Sequence, residues 1–130
     1  MMATRVLVVD DEEDYRIIAE EILKTAGMEV KTAEDGEKGL AALKEFSPDA
    51  ILVDWNMPKM DGEDFCRALR ADPRFKGVPA IMLTVKGDVE SELEALHFGA
   101  DDFLTKPFEP KELVSRIKAV LRRTRPTASN

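Results

Sequence analysis

Side chains that can do chemistry follow short apolar runs at four separated points in this 130-residue sequence. These side chains are Asp10 and Asp11, then Asp54, then Thr84, and finally Lys106. Carboxylates within about 4 Å of one another repel by several kcal/mol at an effective dielectric near 20, so a cation must compensate for them. Oxygen ligands without paired His or Cys favour a hard ion such as Mg²⁺. A metal, an ammonium and a hydroxyl around one carboxylate are the parts needed to bind a phosphoryl group, with that carboxylate as nucleophile.

These residues need a scaffold that brings them together. Short apolar runs alternate with amphipathic segments, the pattern of a parallel sheet covered by helices. The predicted strands are Val6–Val9, Val30–Ala33, Ala50–Val53, Ala80–Leu83 and Asp102–Thr105. The predicted helices are Asp14–Ala26, Gly36–Phe46, Glu63–Ala71, Val89–Phe98 and Pro110–Arg123. The pattern predicts an α/β fold, a three-layer (βα)5 doubly wound parallel sheet. Ligands bind such sheets at the carboxyl ends of the strands, where the four groups lie.

The first predicted helix has apolar residues at helical spacing. Ile17, Ile18, Ile22 and Leu23 are predicted to form one inward stripe. Gly27 follows the last of these positions and is a suitable residue just beyond a helix end.

Composition limits the classes of protein to consider. The chain has 26 acidic residues against 19 Lys and Arg, for a formal net charge of −7, which disfavours non-specific binding to nucleic acid or to an anionic membrane. The single cysteine, Cys66, is expected to be a core thiol, and the apolar runs are far shorter than the roughly 18 residues that span a bilayer. We expect a cytoplasmic protein with one domain at 1–123 and a flexible tail or linker at 124–130.

At these spacings the motifs resemble the receiver domain of two-component response regulators. The resemblance is carried by Asp10-Asp11, by Asp54 with the following MPKMDG segment, by Thr84 and by Lys106-Pro107-Phe108. It extends from about residue 5 to residue 123. It implies the flavodoxin-like strand order 2-1-3-4-5, which is also the order in a chemotaxis member of the same family. It also implies a cis Lys106–Pro107 peptide.

The resemblance also implies roles for the acidic residues. Asp54 would be the phosphoacceptor that attacks the phosphohistidine of a kinase. Asp11, Asp54 and the backbone carbonyl of Asn56 would bind Mg²⁺ directly, with Asp10 acting through bound water. Mn²⁺ is expected to substitute for Mg²⁺.

A second set of implied roles concerns the response to phosphorylation. Lys106 would pair with Asp54 before the reaction and with a phosphoryl oxygen afterwards. Thr84 would turn inward to donate a hydrogen bond to the phosphoryl group, and Phe103 would rotate into the space that Thr84 leaves. The signal would then reach the face formed by helix four, strand five and helix five.

Partners follow from the same resemblance. The phosphodonor would be a sensor histidine kinase or a phosphotransfer protein, and no direct binding to nucleic acid or membrane is expected. The last helix resembles that of receivers attached to winged-helix DNA-binding domains, which dimerise through the face just named. Four charges match that interface, namely Glu112, Arg116, Lys118 and Arg123. Glu92 and His97 depart from it, which weakens the homodimer prediction.

Alternative interpretations remain at this point. Taken alone, Asp10 and Asp11 could be acids at a helix start, Thr84 a strand residue, Lys106 a solvated lysine and Asp54 a buried acid bound by amides. An aspartyl-phosphate phosphatase would need a second acid two residues after the nucleophile, where this chain has Asn56. A receiver that binds partners without being phosphorylated is the third interpretation. We expect a phosphoacceptor switch without turnover of an external substrate.

Overall fold

Five strands and five helices alternate along the described part of the chain in a computed structural model. The structure describes residues 3–85 and 87–124, apart from the side chains at positions 89, 91, 92, 95 and 124. The strands are β1 (Arg5–Val9), β2 (Glu29–Ala33), β3 (Ala50–Asp54), β4 (Ala80–Val85) and β5 (Asp102–Lys106). The helices are α1 (Glu13–Thr25), α2 (Gly36–Ala42), α3 (Gly62–Ala71), α4 (Val89–His97) and α5 (Pro110–Thr124). All strands pair in parallel in the order β2-β1-β3-β4-β5, which confirms the predicted doubly wound α/β fold.

The central strands are mostly apolar because both faces of the sheet are covered. In β1, Leu7 and Val9 pack into one core layer while Val6 and Val8 pack into the other. Helix α3 covers the first layer, and helices α1 and α5 cover the second. Successive strand residues point to opposite faces, so a strand buried on both sides loses the alternation of apolar and polar residues.

Helix α1 packs through a narrower face than the sequence predicts. Ala19 and Leu23 are fully buried, whereas Ile17 and Ile18 are 53% and 45% exposed. The predicted inward stripe was therefore wrong for these two isoleucines. Residues four apart lie on one face of a helix, so contact centred on Ala19 and Leu23 turns Ile17 and Ile18 away from the sheet.

The end of α1 confirms the prediction for Gly27. This residue has a φ of 86°, and its N–H donates to the Lys24 carbonyl at 2.9 Å. The Met28 N–H donates to the Leu23 carbonyl at 3.0 Å. This pair of hydrogen bonds is a Schellman motif, in which glycine adopts the left-handed conformation at low cost.

Helix α2 ends at Ala42 and not at Phe46 as predicted. The N–H groups of Leu43, Lys44 and Glu45 donate to carbonyls three residues earlier, at 3.2, 3.1 and 3.1 Å. The chain thus tightens into turns of the 3₁₀ type beyond Ala42. Phe46 is buried in the core at the end of this segment.

The Lys106–Pro107 peptide is cis, as the resemblance implies. Of the predicted tail at 124–130, only Thr124, which ends α5, belongs to the described residues. Within residues 3–85 and 87–124, no helix is both long and apolar enough to cross a membrane.

Candidate functional site

Four carboxylates meet where β1 and β3 end. Asp10, Asp11, Glu12 and Asp54 each offer one oxygen, and these oxygens all lie within 4.8 Å of one another. The sheet dictates this meeting, since Val9 pairs with Val53 and the next residues are Asp10 and Asp54. Asp10 is fully buried and Asp54 is 5% exposed, while Asp11 and Glu12 are exposed.

Backbone amides orient the two buried carboxylates. One oxygen of Asp10 accepts a hydrogen bond from the Glu12 N–H at 2.9 Å, and one oxygen of Asp54 accepts from the Asn56 N–H at 3.2 Å. In each case the second oxygen lies near the Lys106 ammonium. Asp10 Oδ2 receives no hydrogen bond of good geometry within the described residues, so its 2.9 Å contact with Lys106 is ionic.

The buried Lys106 ammonium contacts three of these acids. Its Nζ lies 2.8 Å from Glu12 Oε1, 2.9 Å from Asp10 Oδ2 and 3.4 Å from Asp54 Oδ2. It also lies 4.5 Å from the centre of the Tyr15 ring. Burial lowers the pKa of Lys106, but the hydrogen bond to Glu12 and the close negative charges of Asp10 and Asp54 outweigh burial and raise it above its usual range. Lys106 is therefore a permanent cation at this edge of the sheet.

One lysine does not compensate for the charge of the cluster. Burial, followed by the negative charge of Asp10, raises the pKa of Asp54 to about 8, although Lys106 acts in the opposite direction. Asp54 would therefore hold a proton at neutral pH unless another cation replaced it. The donor set fits a hard divalent ion, because all four candidate ligand groups are carboxylates. Asp10, Asp11 and Asp54 are the residues that would hold it.

A buried hydroxyl lies next to this cluster along the edge of the sheet. Thr84 is 1% exposed, and its Oγ1 has no hydrogen-bond partner in the part of the chain that the structure describes. It follows Leu83, which pairs with Asp54 across β3 and β4. Leaving a buried polar atom unpaired costs roughly 1–3 kcal/mol, so this hydroxyl is suited to donate to a ligand.

Thr84 and Phe103 share one face of the sheet. Thr84 pairs with Thr105, and Met82 pairs with Phe103, so the two side chains lie on the same side at positions two residues apart. Phe103 is half-buried and packs against the core layer that contains Met82. The inward rotation predicted for Phe103 remains a prediction.

The loop after β3 folds tightly against the strand that carries Asp54. The Trp55 N–H donates to the Leu83 carbonyl at 3.0 Å, and the Gly62 N–H donates to the Trp55 carbonyl at 2.9 Å. A Cβ atom on Gly62 would lie 2.8 Å from Trp55 Cα and 3.0 Å from the Asp54 carbonyl oxygen. Glycine therefore permits the closure that places Asn56 beside Asp54.

Comparison with known families identifies this combination of fold and site. The sequence pattern of the response regulator receiver domain matches residues 6–118. The chain belongs to the receiver domain family. The resemblance stated from the motifs is thus confirmed, and the chain is a receiver of the two-component response regulator type.

Relatives extend the comparison. The phosphate regulon transcriptional regulatory protein PhoB of Pseudomonas aeruginosa is 43% identical over 126 residues, which cover 97% of this receiver and 55% of PhoB. The DNA-binding response regulator MtrA of Mycolicibacterium paratuberculosis is 44% identical over 122 residues, covering 94% of the receiver and 53% of MtrA. The chain spans about half the length of these curated relatives. Chemotaxis protein CheY4 of Vibrio cholerae superposes with a TM-score of 0.86 at 37% identity, covering 92% of this chain and 99% of that one.

The structure brings most of the predicted site residues of the receiver together. Asp10, Asp11, Asp54 and Lys106 form one cluster. Asn56 is exposed, and its N–H contacts Asp54, while the metal-binding role of its carbonyl remains a prediction. The roles of phosphoacceptor and metal ligand likewise remain predictions for the residues that carry them.

Sequence reasoning missed Glu12 and Tyr15. Glu12 received no role from the sequence, yet it makes the shortest of the three ion-pair contacts of Lys106, at 2.8 Å. Tyr15 places its ring beside the same ammonium. The available signal was their spacing, because Glu12 immediately precedes α1 and Tyr15 lies three residues later on the same side of the helix.

The charges of α5 form pairs within the receiver itself. Arg116 lies 3.2 Å from Asp102 and 3.5 Å from Glu112, and Arg123 lies 3.6 Å from Asp102. In the predicted dimer, Arg116 and Arg123 would therefore have to keep these acidic partners while binding the second receiver, or exchange them for acids of that receiver. The homodimer remains a prediction.

The positions that depart from the dimer pattern are only partly described. The side chain of Glu92 lies outside the described residues. His97 is exposed and contacts the edge of the Phe98 ring, with centroids 5.0 Å apart. Lys118 is exposed on α5.

Proposed function

We propose that this receiver accepts a phosphoryl group on Asp54 from the phosphohistidine of a sensor histidine kinase or a phosphotransfer protein. The observation that carries the proposal is the buried Asp54 carboxylate, flanked by acids, with a charged lysine 3.4 Å away. The unpaired hydroxyl of Thr84 adds a donor on the adjacent strand. These parts serve as nucleophile, charge compensation and hydrogen-bond donor.

Transfer of the phosphoryl group from the phosphohistidine to Asp54 needs no further reactant. An oxygen of Asp54 forms a bond to phosphorus, the phosphorus–nitrogen bond of the donor breaks, and the electron pair stays on the imidazole nitrogen. Lys106 offsets charge on a phosphoryl oxygen, and the Thr84 hydroxyl donates to another. Asp11, Asp54 and the Asn56 carbonyl would hold Mg²⁺ directly, with Asp10 acting through bound water, and Mn²⁺ can substitute for Mg²⁺. The ion supplies positive charge that the carboxylates and phosphoryl oxygens share.

The consequence of phosphorylation is a change in a binding surface. Thr84 and Phe103 share one face of β4 and β5, so movement of the hydroxyl toward Asp54 frees space on the side where Phe103 lies. The face formed by α4, β5 and α5 would then bind a partner, an attached output domain or a second receiver. We propose a switch rather than an enzyme, since the acyl phosphate is itself the signal.

The relatives and the net charge suggest where the receiver acts and what it does not bind. The two curated relatives are named a transcriptional regulatory protein and a DNA-binding response regulator, and each is about twice this length. We therefore propose that the chain acts in the cytoplasm through an output region or a partner. With a formal net charge of −7, the receiver is not expected to bind nucleic acid or membrane directly.

Trp55 provides a direct test of the site. It is buried next to Asp54, so its fluorescence should change when Mg²⁺ is added and change again when beryllofluoride, a phosphoryl mimic, follows. Asp54→Ala should abolish the second step. Lack of any Mg²⁺ response in the native chain would refute the site assignment.

A further inference from the structure

We propose that Glu12 is a positioning residue that holds the Lys106 ammonium away from the reacting position, and so slows phosphorylation of this receiver. The proposal rests on the phosphoacceptor function proposed for Asp54. It adds a residue at the start of α1 that controls how readily the lysine becomes available.

The distances show where the ammonium is held. Lys106 Nζ lies 2.8 Å from Glu12 Oε1 but 3.4 Å from Asp54 Oδ2. The Tyr15 ring covers another side of the ammonium at 4.5 Å, and Tyr15 itself packs against Phe108, with ring centroids 5.7 Å apart. The first turn of α1 therefore fixes Lys106 from two directions.

Glu12 differs from the other acids that contact Lys106 in its exposure. Its side chain is 55% exposed, whereas those of Asp10 and Asp54 are 0% and 7% exposed. Because Glu12 can return to water, its ion pair can break without leaving a buried charge unpaired. It is the contact that Lys106 can give up when a phosphoryl oxygen arrives.

The Glu12 side chain is not explained by helix capping. Glu12 is the N-cap residue of α1, but its side chain makes no capping hydrogen bond. The Asp10 carboxylate accepts from the Glu12 N–H instead. The Glu12 carboxylate is therefore left to bind the lysine, and the same backbone contact fixes its position relative to Asp10.

Two effects of Glu12 act in the same direction during phosphorylation. Lys106 must exchange the Glu12 carboxylate for a phosphoryl oxygen, and an anionic donor must approach the Glu12 charge. Exposed ion pairs contribute little, so we expect Glu12→Gln to raise the initial phosphorylation rate by about two- to fivefold. The donor for this test is acetyl phosphate with Mg²⁺, in which the phosphorus–oxygen bond breaks and acetate leaves with the electron pair.

Glu13 offers a matched control. It is exposed in the same first turn, and it forms no ion pair among the residues that the structure describes. Glu13→Gln removes the same charge one residue away, so it should change the rate less than Glu12→Gln does. The phosphorylated fraction of the intact receiver is followed by mass spectrometry.

A double-mutant cycle with Lys106→Met separates the two effects. If Glu12 acts mainly through the lysine, Glu12→Gln should accelerate phosphorylation much less in the Lys106→Met background, where only the repulsion between Glu12 and the donor remains. Beryllofluoride affinity, followed by Trp55 fluorescence, gives a second readout in which Glu12→Gln should tighten binding more when Lys106 is present than in the Lys106→Met background. This readout keeps the cycle measurable if Lys106→Met phosphorylates too slowly.

Three results would overturn the proposal. These are an unchanged rate in Glu12→Gln, an equal effect in both backgrounds, or a loss of Mg²⁺ affinity of more than tenfold, which would make Glu12 a metal ligand. Each is distinct from failure of the proposed function, in which the native receiver would not be phosphorylated at all.

Discussion

Asp54 and Lys106 show which features of single residues the sequence predicts and which it does not. The sequence places both at strand ends, so their meeting could be predicted from topology. The contact between Lys106 and Glu12 could not, because it joins side chains 94 positions apart and depends on side-chain rotamers. The raised pKa of Asp54 was also beyond prediction, since it follows from the burial of its carboxyl and the negative charge of Asp10.

The raised pKa of Asp54 predicts how stability depends on pH when no divalent ion is present. The folded protein holds this proton up to about pH 8, whereas an aspartate in the unfolded chain loses it near its ordinary value of 3.8. Between about pH 4 and pH 8 the folded state thus binds more protons than the unfolded state. The contribution of Asp54 to the free energy of unfolding therefore falls as the pH rises through this range. We expect Asp54→Asn to be about 1–3 kcal/mol more stable than wild type at pH 8 in EDTA.

Urea unfolding at several pH values measures this difference. The advantage of Asp54→Asn should shrink toward pH 4, and saturating Mg²⁺ should reduce it at pH 8 by stabilising only the native chain. Equal stability of the two proteins at pH 8 in EDTA would contradict the electrostatic description of Asp54.

At the scale of elements, the pattern of apolar residues correctly predicted the strands that are buried on both faces. It failed for helices that contact the sheet through only part of their surface. The apolar central strands and the core position of Cys66 on α3 were assigned correctly. Ile17 and Ile18 were assigned wrongly, because an apolar pattern does not reveal how wide the contact on a helix is. The early end of α2 was missed for a similar reason, since tightening beyond Ala42 depends on where Phe46 enters the core.

The loop that carries Asn56 gives a prediction at this scale. In Gly62→Ala the new Cβ would meet backbone atoms of Trp55 and Asp54 at 2.8 and 3.0 Å, and backbone cannot move aside as a flexible side chain can. We expect a loss of about 1–3 kcal/mol in the free energy of unfolding, together with weaker Mg²⁺ binding. Urea unfolding and Trp55 fluorescence measure the two effects.

Gly77→Ala is the control for this substitution. No atom lies within 4 Å of the Cβ that it would add, so its stability should stay within about 0.5 kcal/mol of wild type or rise slightly. If Gly62→Ala behaved like Gly77→Ala, close packing of the loop against β3 would not explain the position of Asn56.

For the molecule as a whole, the strand order converts four distant sequence segments into one acidic edge. The alternation of strands and helices predicted the sheet, and the resemblance supplied its order of 2-1-3-4-5, which the structure confirms. The acidic cluster adds locally to a chain whose formal net charge is already −7, and phosphorylation would add about two further negative charges there. Lys106 and a divalent ion are the groups that would compensate for this charge.

The mass of the intact protein after incubation with Mg²⁺ and acetyl phosphate tests the phosphoacceptor role most directly. The native chain should gain the mass of one phosphoryl group, and hydroxylamine should remove it because an acyl phosphate is cleaved by that nucleophile. Asp54→Asn, or the native chain in EDTA, should show no gain. A native chain that gains no mass, or an Asp54→Asn protein that gains as much as wild type, would contradict the assignment of Asp54 as phosphoacceptor.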